Sequence, residues 1–250
     1  MNQISDKDID QFHELGYFVT GVVFTDDELR PMREEFDRVY AEHVAAAEAR
    51  GDAAEADRLR GQRAYGQFHT HSDVAAAFAR KPVYMEACRK LIGGDADLYY
   101  NQAAVKPPAG HSKTFAWHQD SGYQRTEPLT YITCWTAIGD SDLDNGCIWI
   151  IPGSPSWGLL EHLPEEETAE SYGGLTAQFS DDSGQVPVEM KAGQVAIFSS
   201  LMLHKSGPNL SRDRARYGYV PQYHVPNAIA ADSGKPWGDL VPVLRDGNRV

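Results

Sequence analysis

The first part of the chain carries hydrophobic positions three or four residues apart, the spacing of one helix face. Ser5 and Thr25 stand where such segments begin, and Glu28 follows Thr25 at the spacing of a capping box. Gly16 stands where the first helix is expected to end. The pattern predicts a helical part over about residues 1–95. The apolar face of its main helix consists of Leu29, Met32, Phe36, Val39 and Tyr40.

A different pattern begins near residue 96, where short runs rich in Val, Ile, Tyr and Trp alternate with turn residues. Many short strands with Gly and Pro turns between them are typical of a β-sandwich or a jelly roll. We predict a β core over about 96–225, a C-terminal tail over 226–250, and a long acidic loop or insertion over Glu161–Gly174. The predicted strands are Leu98–Val105, Thr130–Ile138, Cys147–Ile151, Val186–Met190, Val195–Phe198 and Arg216–Tyr223.

Length and charge narrow the classes of protein further. The 250 residues fit one domain that comprises the helical part, the β core and the tail. A formal net charge of −13 and a pI near 5.0 make nucleic acid and anionic membranes unfavourable partners. The sequence has no long apolar run typical of a membrane span and no signal-peptide pattern at its start. Three cysteines without CxxC spacing are interpreted as reduced thiols, so we expect a cytoplasmic protein.

The most specific chemical signal is the segment His118-Gln119-Asp120 with His204 far downstream. In an extended segment the first and third of these side chains point to the same face, because strand side chains alternate. Two imidazoles and one carboxylate bind one face of an octahedral metal and leave the other positions open. The set suits Fe(II), Mn(II) and Zn(II), so the residue types alone leave the choice of metal open.

Four further segments accompany this signal, in a fixed order. After Trp117–Asp120 come Cys134–Ala137, Asp144–Cys147, Ile151–Ser154 and His204–Asn209. Together the five segments resemble the phytanoyl-CoA dioxygenase-like family of Fe(II)/2-oxoglutarate-dependent oxygenases. The resemblance covers about residues 8–225 and is strongest from Asn101 to Tyr223. It implies a double-stranded β-helix, a jelly-roll or cupin-like barrel, with the metal inside one end.

The resemblance also implies roles for individual residues. His118, Asp120 and His204 fall on the family's metal ligands, and the open positions would take 2-oxoglutarate and O2. An arginine after the second histidine would pair with the distal carboxylate of 2-oxoglutarate, because its planar fork binds carboxylates bidentately. The spacing does not match the family's to the residue, so we predict Arg216 and keep Arg214 as the second choice. Further residues expected around the cosubstrate are Gln102, Trp135 and Ser206.

The sequence therefore predicts an Fe(II)/2-oxoglutarate-dependent dioxygenase that hydroxylates, or otherwise oxidises, a C–H bond and releases succinate and CO2. Halogenating relatives have a small residue at the position of Asp120, so its carboxylate favours oxygenation here. We expect a free small-molecule substrate, because an acidic protein repels coenzyme A esters and acidic carrier proteins. Two alternatives stay open, namely a cupin-like Zn(II) hydrolase or isomerase and an inactive small-molecule sensor. The oligomeric state is also open.

Overall fold

Helices dominate the first ninety or so residues of the computed structural model, and strands the remainder, as the sequence predicts. Residues 3–61, 63–108, 112–168 and 170–250 are described. The helices are α1 (Asp6–Leu15), α2 (Asp26–Ala49), α3 (Ala53–Gly61), α4 (Asp73–Phe78), α5 (Pro82–Leu91) and α6 (Asp120–Tyr123). The strands are β1 (Tyr17–Val19), β2 (Arg63–Gly66), β3 (Ala96–Lys106), β4 (Phe115–His118), β5 (Thr126–Glu127), β6 (Ile132–Ala137), β7 (Ile148–Ile150), β8 (His162–Glu165), β9 (Gly174–Ala177), β10 (Val186–Val188), β11 (Val195–Ser199), β12 (His204–Ser206), β13 (Arg216–His224), β14 (Ile229–Ala230), β15 (Val241–Arg245) and β16 (Asn248–Arg249).

The helix boundaries follow the signals in the sequence. The Ser5 side chain caps α1, which ends at Gly16 in the left-handed conformation that glycine adopts without a Cβ penalty. Thr25 and Glu28 form the predicted capping box of α2. The longest helix, α2, has Leu29, Met32, Phe36 and Val39 on its buried face.

The strands form two main antiparallel sheets of a jelly-roll barrel, which confirms the predicted fold class. The larger sheet has the order β1-β11-β6-β13-β3-β15-β16, with β2 also paired to β3. The smaller sheet has the order β10-β7-β12-β4. Residues of both sheets share one hydrophobic cluster, which includes Trp135, Phe198 and Val220 from the larger sheet and Ile148 and Val188 from the smaller one.

The helical part packs against the larger sheet. Its buried residues, such as Phe36 and Tyr84, belong to the same hydrophobic cluster as Ile197, Tyr219 and Tyr223 of the strands. Burying large apolar and aromatic side chains in this way is the main stabilising contribution to such an arrangement. The helices thus support the outer face of the strands that line the barrel interior.

Two stretches contain more regular structure than the sequence suggested. Residues 226–250, expected as a tail, contain β14, which pairs with β5, and β15, which pairs with β3 in the larger sheet. The acidic stretch Glu161–Gly174 contains β8, which pairs with β9 as an antiparallel hairpin. Short strands of this kind lack the alternating pattern that reveals longer ones. Within the described residues, no helix combines the length and apolarity that crossing a membrane requires.

Candidate metal centre and cosubstrate pocket

A cavity of about 780 Å³ opens into the barrel between the two sheets. Its lining includes His118 at the end of β4 and His204 at the start of β12, which are direct partners in the β4–β12 pairing. Asp120, at the first position of α6, also lines it. The sequence placed His118 and Asp120 on one extended segment, but the strand ends at His118. The extended backbone of Gln119, with φ −115° and ψ 139°, still brings both side chains into the cavity.

The three side chains meet at one point. One ligand atom from each lies within 4.8 Å of the other two, the only such group of three or more potential metal ligands in the described part of the chain. Oδ1 of Asp120 lies 3.9 Å from Nε2 of His118 and 3.7 Å from Nε2 of His204. Both histidines are buried. This nitrogen, oxygen and nitrogen set on one wall of a cavity fits a divalent metal with open positions.

Backbone carbonyls fix the tautomer of both histidines. Nδ1 of His118 lies 2.9 Å from the carbonyl oxygen of Ala116, and Nδ1 of His204 lies 2.9 Å from that of Met202. A carbonyl can only accept, so each Nδ1 donates its hydrogen and each Nε2 keeps a free lone pair for a metal. Burial, together with the nearby His204, holds the pKa of His118 well below its usual value and so favours the neutral imidazole that binds metals.

The two oxygens of Asp120 have different surroundings. Oδ2 accepts hydrogen bonds from Oγ1 of Thr133 at 2.6 Å and from Nε2 of Gln222 at 3.0 Å. Oδ1 is the atom that faces the two histidines. The sequence interpretation missed both donors. Alternation along the strands indicates them, because Thr133 lies two residues from Trp135 on β6 and Gln222 lies six from Arg216 on β13.

Gln119 lies between the two ligands and holds the surrounding loops together. The sequence interpretation assigned it no role. Its side-chain nitrogen donates to the carbonyls of Gly158 and Leu201, both at 2.8 Å, and its side-chain oxygen accepts from the backbone nitrogen of Leu160 at 2.8 Å. Its backbone nitrogen donates to Nε2 of His162 at 3.0 Å. A buried amide with all of its groups bonded fixes the chain between the ligands.

Of the two candidate arginines, only Arg216 lines the cavity. It is 4% exposed, its Nη1 donates to the carbonyl of Gly146 at 2.9 Å, and its guanidinium lies 5.2 Å from the centre of the Trp135 ring. Burial lowers its pKa to about 10, so it stays charged at neutral pH. Arg214 lies on the surface, outside the cavity lining, and forms an ion pair with Asp142 at 2.6 Å.

The buried charge of Arg216 lacks a carboxylate partner within the described residues, and its Nε has no hydrogen-bond acceptor there. Leaving a buried cation without a counter-ion is costly, so a site that retains one fits an anionic ligand. The distal carboxylate of 2-oxoglutarate meets this requirement. Ser206, Gln102 and Trp135, which the resemblance places around the cosubstrate, line the same cavity, and Ser206 is buried.

Lys106 is a second buried cation beside Arg216, its partner in the β3–β13 pairing. Its Nζ donates to the carbonyls of Lys113, Ser206 and Gly207, so all three of its hydrogens are bonded. Burial and then Arg216 hold its pKa well below the usual lysine value. The sequence interpretation did not include Lys106, although it shares a strand face with Gln102. Lys106 thus fixes the end of β12 that carries Ser206.

Comparisons with known proteins agree with this geometry. A family model for phytanoyl-CoA dioxygenase (PhyH) matches residues 12–217. A phytanoyl-CoA dioxygenase of Arabidopsis thaliana is 32% identical over 41% of this chain and 35% of its own length. Phytanoyl-CoA dioxygenase domain-containing protein 1 of Bos taurus is 23% identical over 90% of this chain and 91% of its own. The match therefore spans about a third of the plant protein and nearly all of the bovine one.

Solved structures resemble most of the chain. The epimerase SnoN, in complex with Fe3+, alpha ketoglutarate and nogalamycin RO, is 19% identical with a TM-score of 0.69 over 94% of this chain and 87% of its own. EvdO2 from Micromonospora carbonacea var. aurantiaca, complexed with 2-oxoglutarate, gives the same identity and TM-score over 94% of this chain and 97% of its own. At this level of identity the likeness shows a common fold.

Proposed function

The chain belongs to the phytanoyl-CoA dioxygenase family and is a non-haem Fe(II)/2-oxoglutarate-dependent dioxygenase, and from this we propose that it oxidises a C–H bond of a free small organic molecule. One observation carries the proposal: the cavity brings together the His118, Asp120 and His204 ligand atoms and also holds the buried Arg216. The SnoN structure, a complex with alpha ketoglutarate, and the EvdO2 structure, a complex with 2-oxoglutarate, support the choice of cosubstrate.

In this proposal the triad holds Fe(II), and Arg216 with Ser206 holds the distal carboxylate of 2-oxoglutarate. When bound, the iron supplies the oxidation in which O2 converts 2-oxoglutarate to succinate and CO2 and the substrate C–H becomes C–OH. The protein contributes orientation. The carbonyls behind both histidines aim each Nε2 inward, and Thr133 and Gln222 occupy one oxygen of Asp120 so that the other is free for the metal.

The test is the visible absorption of the anaerobic protein with Fe(II) and 2-oxoglutarate. A 2-oxoacid bound to iron through two oxygens gives a charge-transfer band, so the wild-type protein should show it and His118→Ala should not. Arg216→Ala should need tens of times more 2-oxoglutarate to reach the same absorbance, because a charge-assisted bidentate bond is lost from a buried site. Arg214→Ala is the matched control and should titrate like the wild-type protein.

The absorption band, together with an assay of succinate release, separates the alternatives. A Zn(II) hydrolase or isomerase would give neither the band nor succinate, and an inactive sensor would give no succinate with any substrate. Normal succinate release from His118→Ala would remove the triad from the mechanism.

The substrate is proposed to be free, not bound to coenzyme A or to a carrier protein. The formal charge of −13 repels both at long range, although salt screens this repulsion beyond about 8 Å. A candidate acid, its coenzyme A thioester and its carrier-bound form should be compared at low and high salt. Preference for a tethered form that weakens as salt is added would contradict the proposal and would indicate a basic docking surface.

We further propose a cytoplasmic location. Cys88, Cys134 and Cys147 are free and buried, the state in which thiols persist in a reducing compartment. Fractionation of cells that express the full-length protein should place it with cytoplasmic markers, and recovery with secreted or membrane fractions would contradict this.

A further inference from the structure

Aromatic side chains flank the metal ligands in the cavity. The rings of Phe115 and Tyr123 are stacked with an interplanar angle of 28°, and their centres lie 4.6 and 5.5 Å from that of His118. A second aromatic cluster is centred on Tyr99, whose ring lies 4.8 Å from Tyr131 and 4.9 Å from Trp237. All five of these aromatic residues line the cavity. Flat, apolar walls of this kind favour ring-containing ligands, which stack on aromatic faces.

The charged groups of the cavity are already matched. Apart from Arg216, assigned above to the cosubstrate, Lys106 is bonded to three carbonyls, and Lys205 pairs with Asp182 at 3.3 Å. The remaining charges in the described lining, besides the metal ligands, are Lys235 and Asp239, which are exposed and of opposite sign. No buried charge within that lining is therefore left for an ionised group of the substrate, and an ion placed there would lose its hydration without a partner.

One polar group stands out in the aromatic wall. The hydroxyl of Tyr99 is buried and has no hydrogen-bond partner within the described residues, and the side chain, 2% exposed, lines the cavity. A buried hydroxyl without a partner is unfavourable, and a ligand that supplies one gains both affinity and orientation. A hydroxyl or carbonyl group of the substrate would complete this bond.

The segment that carries Trp237 follows the part of the chain matched by the family model, which ends at residue 217. Backbone hydrogen bonds hold it in place. Trp237 donates to the carbonyl of Ala228 at 2.8 Å, Ala230 donates to that of Lys235 at 2.9 Å, and β14 pairs with β5. The strand β15 then anchors the segment to the larger sheet. The wall that Trp237 forms is therefore preformed.

We propose that the cavity selects an uncharged, flat, ring-containing molecule that packs against Tyr99 and Trp237 and bonds the Tyr99 hydroxyl through its own hydroxyl or carbonyl group. The inference rests on the proposed function, because it takes the triad as the reaction centre beside which the ring is held. It assigns substrate selection to residues 229–239 together with Tyr99.

The test uses three probes with the same ring and different charge: 2-naphthol, 2-naphthoate and protonated 2-naphthylmethylamine. Their dissociation constants are measured by ligand-observed NMR on the full-length protein with 2-oxoglutarate and Mn(II) in place of the oxidisable iron. 2-Naphthol should bind at least several times more tightly than either ion. Tyr99→Phe should weaken its binding by about two- to tenfold, the equivalent of one neutral hydrogen bond.

Trp237→Ala should also weaken 2-naphthol binding several-fold, because a stacking surface is lost. Trp157→Ala is the matched control: Trp157 is 51% exposed, packs against Phe179 and is absent from the cavity lining. Equal binding of the three probes, or equal effects of the Trp157 and Trp237 substitutions, would overturn the proposal.

The Fe(II)/2-oxoglutarate absorption band is recorded for the same proteins. A normal band combined with no preference for 2-naphthol contradicts the substrate class and leaves the dioxygenase assignment intact. Absence of the band from the wild-type protein contradicts both.

Discussion

At the scale of single residues, the pair Thr133 and Gln222 decides how Asp120 can bind a metal. Both donate to Oδ2, and this leaves Oδ1 directed at the histidines. Partners that orient a metal ligand in this way commonly contribute ten- to a hundredfold to metal affinity. The effect of this pair on metal affinity can therefore be tested without knowing the substrate.

Thr133→Val should weaken Fe(II) and Mn(II) binding by roughly tenfold. It removes the 2.6 Å hydrogen bond to Asp120 while nearly conserving the volume of the side chain. Metal titration followed by calorimetry is the measurement. Thr136→Val is the control on the same strand: Thr136 bonds the hydroxyl of Tyr84, so this change should affect stability and leave metal affinity unchanged. Equal metal affinities for wild type and Thr133→Val would show that Gln222 alone orients the carboxylate.

At the scale of secondary-structure elements, β13 and β6 must approach closely for Trp135 to lie under Arg216. Gly218 on β13 makes this approach possible, because a Cβ there would lie 2.6 Å from Cζ2 of Trp135. Gly218→Ala should therefore destabilise the protein by about 1–3 kcal/mol and displace the indole ring. It should also raise the 2-oxoglutarate concentration required for turnover.

Urea unfolding and 2-oxoglutarate titration check this prediction. Gly139→Ala is the control, since no atom lies within 4 Å of its added Cβ. Unchanged stability and unchanged 2-oxoglutarate affinity in Gly218→Ala would mean that the strand and the indole ring adjust at no cost.

Glu28 in the first turn of α2 bonds Lys81, the residue before α5, and this contact makes the stability of the fold depend on pH. One of its oxygens lies 2.8 Å from Nζ of Lys81 and the other accepts from the backbone nitrogen of Thr25. The Lys81 hydrogen bond, followed by the Thr25 bond, lowers the pKa of Glu28 in the folded protein. A lowered folded-state pKa means that this stabilisation is present above the unfolded-state pKa and is lost as pH falls through the folded-state pKa.

Glu28→Gln should lower the free energy of unfolding at pH 7 by about 0.5–1 kcal/mol, a small value because the pair is about a third exposed. The difference from wild type should disappear below the normal pKa range of glutamate. Denaturant curves at several pH values measure it, with the exposed Glu34→Gln on the same helix as control. A difference that persists in acid would show that the charge of Glu28 is not responsible.

At the scale of the whole molecule, the C-terminal strands close the larger sheet and cover a buried charge. Arg245 on β15 lies 2.6 Å from Asp97 on β3, and the Asp97 side chain is 5% exposed. Removing one partner of such a pair leaves an uncompensated buried charge. The end of the chain is thus part of the folded core, although its sequence suggested only a tail.

Arg245→Ala should lower the free energy of unfolding by roughly 3 kcal/mol, the low end for a buried pair because Arg245 itself is partly exposed. Thermal and denaturant unfolding are the measurements. The exposed Arg249→Ala should change stability by less than about 0.5 kcal/mol. If the two variants proved equally stable, β15 would not contribute through this ion pair.

The sequence by itself determined the class of fold, most helix limits and the metal-binding residue types. Hydrophobic spacing and capping residues act locally, so Ser5, Thr25 and the long strand β13 can be recognised from neighbouring residues alone. The ordered segments around His118 and His204 indicated the family before any contact was known. What these signals share is that each lies within a short stretch of chain.

Only the tertiary structure decided which distant side chains meet. Arg216 and Arg214 are two residues apart and chemically identical, and strand pairing buries one in the barrel and leaves the other beside Asp142. Gln222 reaches Asp120 across 102 positions of sequence, and Trp237 reaches Tyr99 from a stretch that looked like a tail. Such contacts depend on sheet order and register, which are set by packing over the whole chain and by no local pattern.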